Sequence, residues 1–244
     1  MKKSIGIGVF FVLFLLKSIN IYGQPWLDIA INGSSGLGLF STIEIYDDTR
    51  IDFSPRATSN LSMKVGLNLT ETEALVLDFG FVNRNFHLEQ KQLESTSDLV
   101  QLVDFGFSGF RILPMYRHTK DEGYFEIGPE FGFVQSQYYT DEANGPIPKD
   151  ALFKEKTLRG AIGFGGYLIG NERVTLVSGL RILYDFNDLR SEKAAQEKFP
   201  YQNYEQQNDL PFKAIDIQLS LELNISLGFL VRSSCGKRKV MFKW

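Results

Sequence analysis

The sequence predicts an all-β protein, an eight-stranded antiparallel up-and-down transmembrane β-barrel with short periplasmic turns and long external loops. Three observations predict it: alternating strands, connections of alternating length, and an apolar amino-terminal segment. From Ile215 to Phe229 every odd position is apolar and every even position is polar or Gly. Side chains of a strand point to alternate faces, so one face is apolar and the other hydrophilic. This segment is longer than the roughly 9 to 11 tilted residues that cross a bilayer.

Seven further segments repeat the two-sided pattern. In strand two, Leu61, Met63 and Val65 share one face and Lys64 lies on the other. Strand one is expected to be interrupted from Gly33 to Gly36. The predicted strands cover residues 27–45, 61–70, 75–84, 103–116, 125–133, 158–168, 173–185 and 215–231.

Strand four changes phase in the sequence. Its first apolar set, which includes Phe105 and Phe107, falls on odd positions, and its second set, from Phe110, falls on even positions. If both sets share the apolar face, an extra residue must lie between them. We therefore predict a β-bulge near Ser108 and Gly109.

The connections alternate between short and long. The short ones cover residues 70–73, 118–122 and 170–172, and the long ones cover residues 47–57, 89–98, 140–156 and 187–210. In a meander this places all tight turns at one end and all long loops at the other, as in outer-membrane barrels. Both termini are then expected at the periplasmic end.

Alternation alone leaves open which face is inside, and a secreted soluble sandwich or lipocalin-like barrel is the alternative. Glycine on the polar face favours the membrane barrel, because Gly is costly on a solvated strand but fits a narrow interior. These glycines are Gly66, Gly80, Gly106, Gly128, Gly132, Gly163, Gly165 and Gly228. Balanced polar-face charges and the loop asymmetry favour the same orientation.

The interior of an eight-stranded barrel is filled by side chains, so we expect no open pore. Buried charges must be paired. We therefore predict an ionic lattice in the barrel interior, with Arg111 and Arg181 as bidentate partners of carboxylates such as Glu130 and Glu222. Its predicted members are Lys64, Asp78, Asp104, Arg111, Glu130, Arg181 and Glu222. A gated ion or proton path is the alternative to a purely structural lattice.

Residues 1–23 resemble a secretory signal peptide, with Lys2 and Lys3 before an apolar run and Gly23 near the expected cleavage point. A retained membrane helix is the alternative, but Lys17 interrupts the run too early. The barrel domain is then 24–231, followed by a basic periplasmic tail, 232–244, that either rests on the anionic inner leaflet or has no fixed structure.

Loss of three lysines with residues 1–23 changes the formal charge of −3 to −6. This mildly acidic chain has no broad basic surface for nucleic acid. With two His and one Cys it has little material for a metal site, and we expect no metal or cofactor.

We also expect no catalysis. His87 and Glu89 lie together toward the external end of strand three, and His118 is expected in a periplasmic turn. A lipid-acting enzyme would need a serine beside one of these imidazoles, and no nucleophile is indicated.

The loop 187–210 either binds a partner or is solvated without fixed structure.

The segment from Phe110 to Tyr116, with its Leu113-Pro114 step, and the Gly128-Pro129 motif of strand five resemble the PorT-like outer-membrane β-barrel proteins of Bacteroidota. More distantly, the architecture is similar to OmpA and OmpX barrels. The resemblance implies an outer-membrane location and a barrel fold. Outer-membrane lipid and the barrel assembly machinery are the expected partners, with an envelope or secretion partner as a further one. The resemblance implies no activity. A structural or surface-binding barrel is thus expected, with assistance to secretion as a narrower version.

Overall fold

The computed structural model describes residues 25–41, 51–91, 100–141, 145–146, 152–171, 173–197, 199–200, 210–232 and 238–241. In chain order the elements are β1 (Trp26–Phe40), β2 (Ile51–Ser54), β3 (Arg56–Asn68), β4 (Glu73–Lys91), β5 (Val100–Lys120), β6 (Gly123–Asp141), β7 (Gly145–Pro146), β8 (Lys156–Gly170), β9 (Val174–Asp185), α1 (Glu192–Gln196), β10 (Ala214–Arg232) and β11 (Arg238–Met241). Within these ranges, no helix has the length and apolar character that crossing a membrane requires.

Eight strands close into an antiparallel barrel in the order β1-β3-β4-β5-β6-β8-β9-β10. β10 completes the circle by pairing with β1 from Trp26 opposite Phe229 to Phe40 opposite Ala214. Three short strands pair antiparallel with the ends of longer ones: β2 with β4, β7 with β6 and β11 with β10. The predicted eight-stranded up-and-down barrel is confirmed.

The two ends of the barrel differ. The end called here the turn end carries connections 69–72, 121–122 and 171–173, and the loop end carries connections 41–55, 92–99, 142–155 and 186–213. The predicted alternation of short and long connections is therefore present. The expectation that His118 lies in a turn is wrong, because β5 continues to Lys120.

The apolar faces of the strands point outward. Leu219, Leu221 and Leu223 are 69%, 51% and 42% exposed, whereas Glu222 and Lys64 are 3% and 2% exposed. The outward apolar side chains of all eight strands form a continuous band, called here the apolar belt. A soluble barrel has the opposite arrangement, with apolar residues inside.

β1 runs without a break through Gly33–Gly36, so the expected interruption of strand one is absent. In β5 the predicted irregularity is present, since the pairing with β6 shifts between Ser108 and Gly109. The unpaired extra residue, however, is Gln135 of β6. β5 therefore keeps a single phase, and the expected change of phase in strand four is wrong.

One consequence of this single phase is that Phe105 and Phe107, expected on the outer face, lie inside the barrel with Arg111 and are at most 3% exposed. Gly106 is correspondingly on the outer face, where an added Cβ would meet the Tyr138 ring at 2.8 Å.

The Leu113-Pro114 step lies within β5, which continues to Lys120. The described register places Ile112 opposite Phe131 and Tyr116 opposite Ile127, so Pro114 and Pro129 face each other between these pairs. Because proline has no backbone N–H, the ladder is interrupted there. These two motifs thus share one place in the barrel wall.

A cluster of aromatic rings closes the loop end. This aromatic plug consists of Phe40, Phe86, Phe105, Phe107, Phe153, Phe199 and Phe212, each at most 5% exposed. Phe199 and Phe212 belong to the connection 186–213. Helix α1 of the same connection begins at Glu192 and is capped by Ser191, whose hydroxyl accepts a hydrogen bond from the Ala194 amide at 3.0 Å.

The described part of the connection 186–213 is therefore packed into the barrel mouth, which differs from the solvated loop considered above. The aromatic residues Tyr201 and Tyr204 lie outside the described residues, as does the predicted signal peptide 1–23. In the predicted tail, residues 238–241 form β11 antiparallel to the end of β10, with Val240 opposite Leu230.

Candidate functional site

Among the residues that the structure describes, twelve charged side chains are buried in the barrel interior, six cations and six carboxylates. They are Lys64, Arg84, Arg111, Arg117, Arg159 and Arg181, with Asp78, Glu126, Glu130, Asp185, Asp216 and Glu222, and each is at most 6% exposed. These twelve residues are called the ionic lattice below. They come from seven of the eight barrel strands. Each side chain points inward because successive residues of a strand alternate between its two faces.

The ionic lattice forms one continuous series in which cation and anion alternate. It starts near the turn end with Lys64, which pairs with Glu222. Arg117 then lies between two carboxylates, with its Nη2 2.9 Å from Glu222 Oε2 and 3.0 Å from Glu126 Oε2. Glu126 in turn accepts a hydrogen bond from Arg181 Nη2 at 2.5 Å.

The middle of the series crosses the barrel through Asp78. Its Oδ2 is 3.1 Å from both Arg181 Nη1 and Arg111 Nη2. Arg111 Nη1 also donates to Glu130 Oε2 at 2.9 Å, and Glu130 pairs with Arg159. Every carboxylate in this part is shared by two guanidinium groups.

The series ends beneath the aromatic plug. Asp216 pairs with Arg159 and lies 2.9 Å from Arg84 Nε, and Arg84 Nη2 donates to Asp185 Oδ2 at 2.8 Å. The Arg84 guanidinium carbon also lies 5.3 Å from the centre of the Phe86 ring. Arg84 therefore joins the ionic lattice to the aromatic plug through a cation–π contact.

Isolated buried charges are very unfavourable, and only paired, hydrogen-bonded ions are tolerated in a low-dielectric interior. In the ionic lattice each charge has at least one partner of opposite sign, and the six cations balance the six carboxylates. Removal of one member leaves its neighbours incompletely paired. The series therefore holds opposite barrel walls together and fills the space through which solutes would pass.

Six of the seven lattice residues predicted from the sequence lie in this interior series, and Asp104 does not. Its side chain is 44% exposed on the outer face, where it lies 3.0 Å from Arg56 and 2.7 Å from His87 Nδ1. The prediction for Asp104 is wrong because β5 keeps one phase, which places odd positions such as Arg111 inside and even positions outside.

The other six members were absent from the predicted lattice: Arg84, Arg117, Glu126, Arg159, Asp185 and Asp216. All of them lie at inward positions of their strands, and all but Arg117 fall on the polar face that the alternation defines. The period-two pattern that selected Glu130 and Arg181 was therefore a sufficient signal for these five. Arg117 has the same inward phase as Arg111, but it was missed because the predicted strand four ends at residue 116 whereas β5 continues to Lys120.

Small residues make room for the larger members of the lattice. The Tyr124 ring lies over Arg117, with the guanidinium carbon 4.4 Å from the ring centre. An added Cβ at Gly165 would lie 2.3 Å from an atom of this ring, and one at Gly163 would lie 2.6 Å from Glu126 Cγ. Only glycine leaves these side chains in their observed positions.

Uncharged polar residues fill the interior beside β1, β3 and β10. Asn60 donates to Ser34 Oγ at 2.7 Å, Ser34 donates to Gln218 at 2.8 Å, and Gln218 donates to Thr58 at 3.3 Å. Asn32 hydrogen-bonds to a neighbouring serine in the same region. Beside β1, the ionic lattice is thus supplemented by uncharged polar side chains that hydrogen-bond to one another.

The lumen reaches solvent at the turn end through a polar cleft of about 200 Å³ whose lining includes Asp28, Asn68, Glu73, Arg173 and Asn224. Across the described ranges, no group of His, Cys, Asp and Glu side chains has the arrangement needed to hold a metal ion.

Among the described residues, the polar partners of both histidines are carboxylates and an arginine, not nucleophiles. His87 Nδ1 is bound to Asp104, and its Nε2 is 3.4 Å from Glu89. Ser54 is the cross-strand partner of His87 in β2, but in the described part of the chain no serine hydroxyl hydrogen-bonds to an imidazole. His118 Nδ1 lies 2.7 Å from Glu73 at the turn end.

No protein-family model matches the chain, and no curated protein matches its sequence significantly. Solved structures with a similar fold include neisserial surface protein A, at 10% identity with a TM-score of 0.42, covering 82% of this chain and 96% of that one. Ail of Yersinia pestis, solved with a heparin analogue, has 10% identity and a TM-score of 0.42 over 83% and 100% of the two chains.

The outer membrane protein OprG of Pseudomonas aeruginosa is similar at 11% identity, with a TM-score of 0.43 over 85% of this chain and 99% of that one. The fold described above rests on the strand pairing of this chain itself. Nothing about the function of these proteins is carried over from the likeness.

Proposed function

We propose that this chain is an integral protein of the bacterial outer membrane with a closed lumen, and that it acts as a structural or surface-binding component of the envelope without catalysing a reaction. The observation that carries the proposal is the inverted distribution of residues. Leu219 and Leu221 lie on the outer face while Glu222, between them in sequence, lies inside.

The apolar belt supports membrane insertion. Exposed side chains such as Leu61, Phe81, Phe164 and Leu168 are 48% to 63% exposed and continue around the barrel. Soluble monomers rarely expose contiguous apolar patches larger than a few hundred Å². A closed barrel also leaves no unpaired strand edge, which is a condition for spanning hydrocarbon with strands.

The closed lumen supports a role other than diffusion of solutes. The ionic lattice fills the centre of the barrel, and the aromatic plug covers it at the loop end. Contacts with other molecules are then expected at the outer rim, where the long connections lie. Outer-membrane lipid and the barrel assembly machinery are the partners that this role requires, with an envelope or secretion component as a further one.

Assistance to secretion is the narrower form of the proposal, and it rests on the resemblance to PorT-like proteins. The motifs that carry the resemblance, Leu113-Pro114 and Gly128-Pro129, lie at the same place in neighbouring strands. Co-purification of the barrel with secretion components from a mild detergent extract tests this form.

A lipid-modifying enzyme is the alternative, and the pairing of His87 with Asp104 at 2.7 Å beside Ser54 is the observation in its favour. Nucleophilic catalysis requires the hydroxyl within hydrogen-bond reach of the imidazole. If His87→Ala or Ser54→Ala abolished a change in membrane lipids that the wild type produces, the non-enzymatic proposal would be wrong.

Membrane insertion is tested on the full chain by three measurements. We expect detergent-dependent extraction, heat-modifiable migration on a gel, and cleavage within residues 187–210 by protease added to intact cells. Recovery in the aqueous fraction without detergent would contradict the proposal.

A further inference from the structure

The outer face of β3, β4, β5 and β6 changes abruptly from apolar to polar residues. Cross-strand pairing aligns two adjacent rows on this face. The apolar row is Leu61, Phe81, Phe110 and Phe133, and the polar row, one step nearer the loop end, is Ser59, Asn83, Ser108 and Ser136.

A groove of about 510 Å³ lies along the boundary of these rows and includes Leu61, Phe81, Asn83 and Ser108 in its lining. The unpaired residue Gln135, where β6 bulges, also lines the groove. The groove is thus concave, apolar on the side toward the turn end and hydrogen-bonding on the side toward the loop end.

Several polar groups of the groove already have partners. Ser108 Oγ lies 2.7 Å from Ser136 Oγ, and Tyr138, which forms the upper border, donates to Asn85 at 3.0 Å. Asn83 differs: its exposed side chain has no hydrogen bond to any residue that the structure describes. Its position beside Phe81 places this amide next to the apolar belt.

A polar group without a partner is costly in contact with hydrocarbon. At the edge of the apolar belt, the exposed amide of Asn83 is available to hydrogen-bond to a molecule outside the barrel. The groove lining contains amide and hydroxyl groups without a charged side chain, which suits an uncharged hydroxyl-rich ligand. The exposed Phe81 ring and the partly buried Phe110 ring, whose centres are 6.0 Å apart, offer an apolar surface directly below.

We propose that this groove binds a glycolipid, with sugar hydroxyls hydrogen-bonded to Asn83 and its neighbours and an acyl chain against Leu61, Phe81 and Phe110. The proposal rests on the membrane insertion proposed above. It assigns a binding site to the outer wall of the barrel, away from the ionic lattice and from the loops.

The opposite wall provides a matched control. Ser178 of β9 also lies on the outer face, but its cross-strand partners are Gly166 and Leu221, so it is an isolated polar residue and not part of a row. Asn83→Leu removes the unpaired amide of the groove, whereas Ser178→Leu makes a comparable change outside it. Both variants add apolar surface to the belt, so both are expected to insert and fold.

The test uses detergent-purified full-length protein incubated with equal amounts of glucosyl diacylglycerol and phosphatidylcholine that carry the same acyl chains. Native mass spectrometry measures the ratio of the two lipids retained. We expect the wild type and Ser178→Leu to retain more glycolipid, and Asn83→Leu to lower the ratio by about fivefold, the effect of one lost hydrogen bond.

Equal retention of the two lipids by the wild type, or an unchanged ratio in Asn83→Leu, would overturn the assignment. A dimer that Asn83→Leu dissociates would also overturn it, because the groove would then bind a second copy of the chain. Heat-modifiable migration is measured on the same preparation. Its absence would contradict membrane insertion itself, whereas its presence without a lipid preference contradicts only the groove assignment.

Discussion

Arg84 of β4 reaches across the lumen to Asp185 of β9, with Nη2 2.8 Å from Oδ2 and both side chains at most 1% exposed. In the strand order β1-β3-β4-β5-β6-β8-β9-β10 these two strands are four positions apart, on opposite walls. No backbone hydrogen bond connects them. The barrel is therefore braced across its diameter by side chains as well as around its circumference by the ladders.

Replacing Arg84 by Met removes the cation hydrogen-bonded to Asp185 while Asp216 keeps Arg159. A buried carboxylate left without its partner is expected to cost about 3–5 kcal/mol of unfolding free energy. Guanidinium unfolding in detergent micelles, followed by tryptophan fluorescence, measures this loss. Arg56→Met is the control, because its partly exposed pair is expected to contribute less than about 1 kcal/mol. Equal losses in the two variants would contradict the bracing role.

The position of a residue in the ionic lattice should determine the effect of its removal. Lys64 is at one end of the series, and its ion-pair partner within the described ranges is Glu222, which keeps Arg117. Arg111 lies in the middle and bridges Asp78 and Glu130. We expect Arg111→Met to lower the unfolding free energy about twice as much as Lys64→Met, since two ion pairs are broken instead of one. A larger loss for Lys64→Met would show that the members do not act as a connected series.

The aromatic plug and the ionic lattice should close the lumen independently. Phe199→Ala removes a buried ring of the plug and is expected to lower the unfolding free energy by about 3–5 kcal/mol. Planar-bilayer recordings should nevertheless show no sustained conductance, because the ionic lattice still fills the barrel below. Phe186→Ala, at a ring that is 50% exposed, is the control and should change stability by about 0.5 kcal/mol or less. Steady currents through Phe199→Ala would mean that the lattice leaves a path.

A methyl group at Gly165 should disturb the packing of Tyr124 on Arg117. The added Cβ would lie 2.3 Å from the ring and 2.3 Å from the Ser178 carbonyl oxygen, so side chain and backbone must both move. Gly165→Ala is expected to cost about 1–3 kcal/mol of unfolding free energy. In Gly33→Ala the new Cβ meets nothing within 4 Å, and no such cost should appear. Comparable unfolding midpoints for both variants would contradict this account.

The free-energy cost of a charged residue in the apolar belt should depend on its depth in the membrane. Leu219 is 69% exposed near the middle of β10, and Ile169 is 72% exposed at the turn end of β8. Arginine is expected to cost about 2–4 kcal/mol at Leu219 and about 0–1 kcal/mol at Ile169, because the penalty falls toward the interface. Reversible unfolding from lipid vesicles gives both values. Equal penalties would indicate that the belt does not contact hydrocarbon.

The period-two pattern was sufficient to predict the eight strands, and together with the glycines of the polar face it predicted six interior charges. It works because a strand buried on one side must place apolar residues at alternate positions, as from Ile215 to Phe229. The error at Asp104 came from β5, where both faces carry aromatic residues. Phe105 faces the aromatic plug and Phe110 faces outward, so hydrophobicity alone did not distinguish inside from outside.

The alternation of the sequence does not predict which members of the ionic lattice pair with each other. Partners such as Lys64 and Glu222 lie on strands that are not neighbours in the barrel, and their relative height depends on strand tilt and on the closure of β10 against β1. The position of Phe199 and Phe212 in the barrel mouth likewise depends on how a long connection folds back. Neither is encoded in the alternation of a single strand.

The closure of β10 against β1 has a consequence for how the register is selected. Sliding β10 by two residues would exchange Leu219, Leu221 and Leu223 among equivalent sites, so the outer surface would tolerate the error. Inside, the same shift would bring Ser220 or Asn224 to the place of Glu222 and leave Lys64 without its carboxylate. The ionic lattice therefore favours the observed closure of β10 against β1 over a register shifted by two residues, a difference that the outer apolar surface alone does not distinguish.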